Sequence, residues 1–166
     1  MPATPDGPPA SALVFDHGGR RIGVALALPG VGTAAPVTTL AARDGVPDWP
    51  VVDRLLADWQ PAALVVGVPY HAGGPASGPP ASGTSECAAL AFAAALAARY
   101  PRLAVTRVDE RLSSAEATDR LRTQRRAGAR KHRVRAADVD AMAACVIAES
   151  WLKDLPRPTR NPPADP

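Results

Sequence analysis

The run Ala63–Val68, ALVVGV, constrains the fold more than any other stretch of the chain. It carries no polar side chain, and its length suits a strand better than a helix. An uninterrupted apolar strand reads as buried on both faces of a sheet. The sequence around it supplies the covering layers. Val46–Gln60 switches to helical period, with Trp49, Val52, Leu55, Leu56 and Trp59 on one face, and Pro61 ends it. After the strand, residues 69–83 (PYHAGGPASGPPASG) are loop by composition, and Glu86–Tyr100 is an alanine-rich helix.

The flanks complete an α/β pattern. Ala12–Phe15 is a short apolar run ending at Asp16. His17-Gly18-Gly19 is a turn signal, and Arg21–Leu28 (RIGVALAL) follows, so the pair reads as a β-hairpin. Pro36–Leu40 reads as a third, shorter strand. Downstream, Leu103–Val108 is a strand running into Asp109-Glu110-Arg111. Ser113 and Glu116 make a capping-box pattern opening a helix towards Leu121. Ala136–Leu152 is the last helix, with Val139, Met142, Ala143, Val146 and Ile147 on its inner stripe. The order β-β-β-α-β-α-β-α-α predicts an α/β domain with a mixed central sheet of about five strands flanked by helices. The length of 166 residues suits one domain. It is expected to occupy residues 12–153, between flexible proline-rich tails at 1–11 and 154–166.

Charge is unevenly spread. The net charge is +3, yet Arg122–Arg135 (RTQRRAGARKHRVR) holds seven Lys/Arg and no acid, leaving the remainder at −4. This segment contains no aromatic residue to stack on bases, so it favours backbone and shape recognition over sequence readout. The first eleven residues have neither a basic start nor an apolar stretch, so no signal peptide is expected. The run Ala88–Ala98 is too short for a membrane span. The two cysteines, Cys87 and Cys145, read as buried thiols outside any zinc-binding spacing. A cytoplasmic location, with no membrane partner, is the expectation.

Three acids stand in unusual contexts. Asp16 ends one apolar strand, Asp109-Glu110 ends another, and Asp140 lies in the first turns of the last helix. Ligands bind at strand ends in α/β sheets. Carboxylates converging there repel unless a cation sits between them, and an all-oxygen site suits Mg²⁺ or Mn²⁺. Two such ions about 3.5–4 Å apart support phosphodiester hydrolysis. Each acid also has a plain alternative: turn former for Asp16, cap or Arg111 partner for Asp109, surface residue for Glu110, dipole-favoured first-turn acid for Asp140. Asp138 reads as the last helix's N-cap. His17 and His71 read as ordinary loop histidines.

Four segments resemble, in order, the motifs of the YqgF/RuvX family. VFDHGGRRIGVALA resembles its opening Asp-x-Gly-x-(Lys/Arg)-Arg-Ile-Gly-Val-Ala, and ALVVGVP its strand ending in Gly-Leu-Pro. VDERLSSAEA resembles its Val-Asp-Glu-Arg motif, and VDAMAACVIAESWL its closing Asp-(Ala/Ser)-x-Ala-Ala helix. The resemblance covers roughly residues 12–153 and implies a ribonuclease H-like core, similar to Holliday junction resolvases. It implies a metal-dependent endonuclease, with Asp16, Glu110 and Asp140 as catalytic and metal-binding residues. The expected substrate is structured RNA, in 5′-end processing of pre-16S ribosomal RNA, with ribosomal precursor particles as the setting. Branched DNA is the alternative substrate. A non-catalytic nucleic-acid-binding protein of the same fold is the alternative from another class, and retention of all three acids argues against it. An actin-like phosphotransferase would need a second lobe for which the chain has no room.

Arg21 fits the opening motif and reads either as a phosphate holder or as a hairpin surface residue, and Arg111 beside Glu110 reads as orienting that carboxylate or touching phosphate, or else as a structural ion pair. Arg125, Arg126, Arg130 and Lys131 are the expected nucleic-acid contacts of the basic segment. The loop after Val68-Pro69 departs from the family's Asn-Met-Asp-Gly-like stretch, reading Tyr70-His71-Ala72-Gly73-Gly74. A fourth acid, Asp109 or Asp138, is left open, as is monomer against homodimer.

Overall fold

The computed structural model describes residues 7–71, 74, 78–110, 113–126 and 135–156, without the side chains of 113–116 and 125–126. The element order is β1 (Ala12–His17), β2 (Arg21–Leu28), β3 (Thr33–Arg43), β4 (Val46–Pro47), α1 (Trp49–Trp59), β5 (Ala63–Val68), α2 (Ser85–Arg99), β6 (Ala104–Asp109), α3 (Ser113–Arg126) and α4 (Ala136–Asp154).

The strands form one sheet in the order β4-β3-β2-β1-β5-β6. β1, β2, β3 and β4 pair antiparallel, whereas β1–β5 and β5–β6 are parallel. The mixed sheet is as expected, with six strands rather than about five. The extra strand is the two-residue β4. Val46–Pro47 pairs with β3 instead of opening the helix, which starts after Asp48 with Pro50 in its first turn. Proline suits that position because its missing N–H has no intrahelical partner there. β3 is also longer than Pro36–Leu40.

β5 sits inside the sheet and is buried along its whole length. Residues alternating across it and β1 feed two cores. Leu13, Phe15, Leu64, Val66 and Val68 pack with Val52 of α1 and with Ala89, Phe92, Ala93 and Leu96 of α2. Ala12, Val14 and Val65 pack on the other face against Ala143, Ala144, Ile147 and Ala148 of α4 and Leu121 of α3. Each large aliphatic side chain fully buried this way contributes about 1.5–3 kcal/mol. The alanines of α4 face Ala25 and Ala27 of β2, which lets the helix lie close to the strand.

α2 begins at an N-cap, Thr84, whose hydroxyl accepts from the Cys87 N–H at 3.2 Å. The N-cap of α4 is Arg135, not Asp138. Asp138 lies three residues into the helix and its carboxylate accepts the Arg135 N–H at 2.9 Å. That is the acidic half of a capping box, so the residue serves the helix start from inside it. Cys145 is buried and Cys87 half-buried, both as free thiols. Trp59 sits in the last turn of α1 and is exposed, against its expected place on the apolar face.

Candidate active site

The chain places Asp16 beside two glycines. In the sheet register its neighbours are Gly23 on β2 and Gly67 on β5. Both lack the Cβ that would fill the face towards α4. A Cβ on Gly67 would lie 2.6 Å from Glu110 Oε2 and 2.5 Å from Ile147 Cδ1. A Cβ on Gly23 would overlap the backbone carbonyl of Asp140 and lie 3.0 Å from the Ala141 nitrogen. The three acids therefore stand in a row across three strands: Glu110 over β5, Asp16 on β1, and the helix turn bearing Asp140 over β2. Neighbouring strands are about 4.8 Å apart, so the two glycines set how closely the outer acids approach the central one.

Local structure fixes each member. Asp16 is the penultimate residue of β1 and half-buried. Glu110 follows β6 directly, and its N–H donates to the Val68 carbonyl at 3.2 Å, continuing the parallel pairing one step beyond the strand. Asp140 lies near the start of α4, which is tied to β3 where the Thr39 hydroxyl donates to the Ala137 carbonyl at 2.6 Å.

The electrostatics show what this cluster lacks. Glu110 Oε2 is buried and receives no hydrogen bond from any of the described residues. Burial and the neighbouring Asp16 carboxyl push the Glu110 acid up to about 9, with Asp109 adding to the repulsion. Asp16 is also raised, first by burial, with the Asp140 charge adding to it; its contact with Glu110 and the nearby His17 act in the opposite direction. Two carboxylates can only accept, so the pair needs a shared proton or a cation between its oxygens. An orphaned buried carboxylate oxygen and an all-oxygen donor set fit a hard divalent cation such as Mg²⁺ or Mn²⁺. Among the described residues no three His, Cys, Asp or Glu side chains already form a cluster able to hold a metal ion. The Asp140 Oδ2 accepts from Arg21 Nε at 2.6 Å.

Arg21 is thus brought to the acids, on the same face of β2 as Gly23. The other expected basic contacts are less defined. Arg111, Arg130 and Lys131 lie outside the described residues. Arg125 and Arg126 close α3, and their side chains lie outside the described part of the chain. Asp109 is the last, exposed residue of β6, and Asp138 serves the start of α4.

Three residues matter here in ways the sequence pattern does not announce. His17 is buried, donates from Nε2 to the Gly45 carbonyl at 2.7 Å, and packs on Phe92. It pins the β3–β4 turn under the end of β1. Glu86, only 6% exposed, accepts from both the backbone N–H and Nδ1 of His71, at 3.1 and 2.7 Å. The His71 contact holds the Glu86 carboxyl below its ordinary range. This pair anchors the loop leaving β5 to α2, on the sheet face opposite Asp16. A histidine fifteen residues before a first-turn glutamate is too loose a sequence signal to have revealed it.

The family model described as "RuvX: Holliday junction resolvase" matches residues 10–154. The chain belongs to this family. Its relatives include a protein of Marinobacter nauticus named "Putative pre-16S rRNA nuclease", 39% identical over 86% of this chain and 92% of the relative. A protein of Xanthomonas campestris with the same name is 41% identical over 87% of this chain and 88% of the relative. Among solved structures, the yeast mitochondrial Holliday junction resolvase superposes with a TM-score of 0.53 at 12% identity, covering 90% of this chain and 80% of that one. The fold is that of the ribonuclease H-like resolvases, and membership of the RuvX family makes the protein a hydrolase of the nuclease type.

Proposed function

We propose that this RuvX-family protein is a divalent-metal-dependent endonuclease that cuts structured RNA, acting in the cytoplasm on ribosomal precursor particles at the 5′ end of pre-16S rRNA. The reading rests on one observation above all. Glu110 presents a buried carboxylate oxygen beside Asp16 that has no partner among the described residues, an arrangement that is unfavourable for folding and useful for holding a cation. The relatives' names favour the ribosomal RNA substrate. The family description favours branched DNA as the second reading.

In this reading Asp16, Glu110 and Asp140 would be the carboxylates that hold Mg²⁺ or Mn²⁺. A cation bound there lowers the pKa of a coordinated water and offsets charge on the scissile phosphate. The chain's own part is positioning. Gly23 and Gly67 let the outer acids close on Asp16, with Ile147 of α4 packed over Gly67 as well. Arg21 sits at the rim as a guanidinium suited to a phosphate oxygen pair. Arg111 and the basic stretch with Arg125, Arg126, Arg130 and Lys131 would hold the strand on either side. The catalytic unit is residues 12–153.

The test is cleavage of a precursor 16S 5′-end RNA and a four-way DNA junction by the same preparation, with Mg²⁺, Mn²⁺ or chelator. RNA cleavage that requires the metal supports the first reading. Cutting of the junction alone transfers the site to branched DNA. Cleavage of neither, with tight binding of either, overturns the enzyme.

A further inference from the structure

The Arg21–Asp140 contact is not explained by a simple metal site. Asp140 faces Asp16 closely enough for its charge to raise that acid, yet its carboxylate is turned to Arg21. The contact uses only Nε of the guanidinium, and no other hydrogen bond of the Arg21 side chain is present among the described residues. The Arg21 side chain is 50% exposed and that of Asp140 24%. An ion pair this exposed holds its partners weakly. The backbone of Asp140 is pressed against Gly23, so α4 itself is locked. The carboxylate can still turn about its own side-chain bonds without moving the helix.

We propose that Arg21 and the divalent cation exchange places on Asp140, so that metal binding releases the Arg21 guanidinium to a phosphate of the nucleic acid. This deepens the proposed function and rests on its reading of the acids as metal ligands. In the metal-free protein Arg21 neutralises Asp140 and limits its repulsion of Asp16. With the cation in place, Asp140 turns inward, and Arg21 stands at the rim with its planar fork of donors directed to substrate. Because one residue competes with metal and then binds substrate, the two ligands bind cooperatively, and linkage requires each to tighten the other by the same factor.

The consequence is readable without any turnover. Mn²⁺ binding is measured by titration calorimetry on the full chain for wild type, Arg21→Gln and Arg21→Lys, alone and with a cleavage-resistant 2′-O-methyl RNA hairpin. Removing the competing cation tightens Mn²⁺ binding about 2- to 5-fold in Arg21→Gln, the range expected for an exposed pair. Arg21→Lys keeps the charge and stays near wild type. The hairpin tightens Mn²⁺ binding to wild type and does so less in Arg21→Gln. Unchanged or weaker Mn²⁺ binding by a folded Arg21→Gln overturns the exchange while leaving the metal site standing. Absence of Mn²⁺ binding to wild type overturns the metal site and the exchange together.

Discussion

Gly67→Ala separates the site from the fold. The added methyl would lie 2.5 Å from Ile147 Cδ1 and 2.6 Å from Glu110 Oε2, and 3.2 Å from Glu110 Cβ. Ordinary contact needs roughly 3.5–4 Å, so both side chains must retreat by about an ångström. Ile147 yields at the far end of a rotatable chain, at a cost of about 0.5–1.5 kcal/mol for an off-rotamer angle. Alanine recovers about 0.5–1 kcal/mol over glycine inside a strand. The net loss is about 1 kcal/mol or less, a fall in Tm of roughly 2–4 °C. Activity is another matter, since a ligand displaced by an ångström can cost about 100-fold in rate. Thermal melting by circular dichroism and single-turnover cleavage of the same RNA check both halves. A Gly67→Ala protein with near wild-type cleavage would refute the claim that this glycine exists to admit Glu110. A collapse of Tm by tens of degrees would refute the packing argument.

Three more outcomes are expected. Gly23→Ala meets backbone on α4 rather than side-chain ends, so it should cost about 3 kcal/mol or more and lose activity, read as a Tm drop of roughly 6–12 °C. For the Glu110 acid, the folded value near 9 exceeds the ordinary 4.5. Its contribution to stability is therefore complete below about pH 4.5 and is lost as pH rises through about 9, to a ceiling of about 4 kcal/mol by pH 7.5. In chelator, the wild-type Tm should fall between pH 5 and 8.5, and Glu110→Gln should flatten that fall; equal slopes would contradict it. Changing Arg125, Arg126, Arg130 and Lys131 together to Ala should weaken RNA binding across sequences and reduce the log–log salt slope by about 0.7–0.9 for each phosphate no longer neutralised; identical slopes in filter binding would remove the segment from the interface.

Much of this was legible in the sequence because it follows from local pattern. ALVVGV announced a strand covered on both sides, and the Asp16 turn announced the hairpin. β4 is hidden because Val46-Pro47 sits directly before a helical period, although Pro50 marks the true start. Trp59 keeps the helical spacing but lies in the last turn of α1, where it is exposed. Of the site, the acids were legible from strand ends and family motifs. The need for Gly23 and Gly67 was not, because it arises from a helix and a loop that arrive from far along the chain. The same holds for Arg21 and Asp140, 119 residues apart. Glu86 looks like an ordinary first-turn acid, and only the returning loop with His71 shows why it is buried.

The central claim is that Asp16, Glu110 and Asp140 together form a metal-dependent phosphodiester-cleaving centre. Single-turnover cleavage of an end-labelled precursor 16S RNA by wild type, Asp16→Asn, Glu110→Gln and Asp140→Asn, each in Mg²⁺ and in chelator, tests it directly. Wild type should cleave in Mg²⁺ and not in chelator. Each variant should be at least about 100-fold slower while still melting cooperatively in chelator. Undiminished cleavage in chelator, or near wild-type turnover by any of the three folded variants, would contradict it.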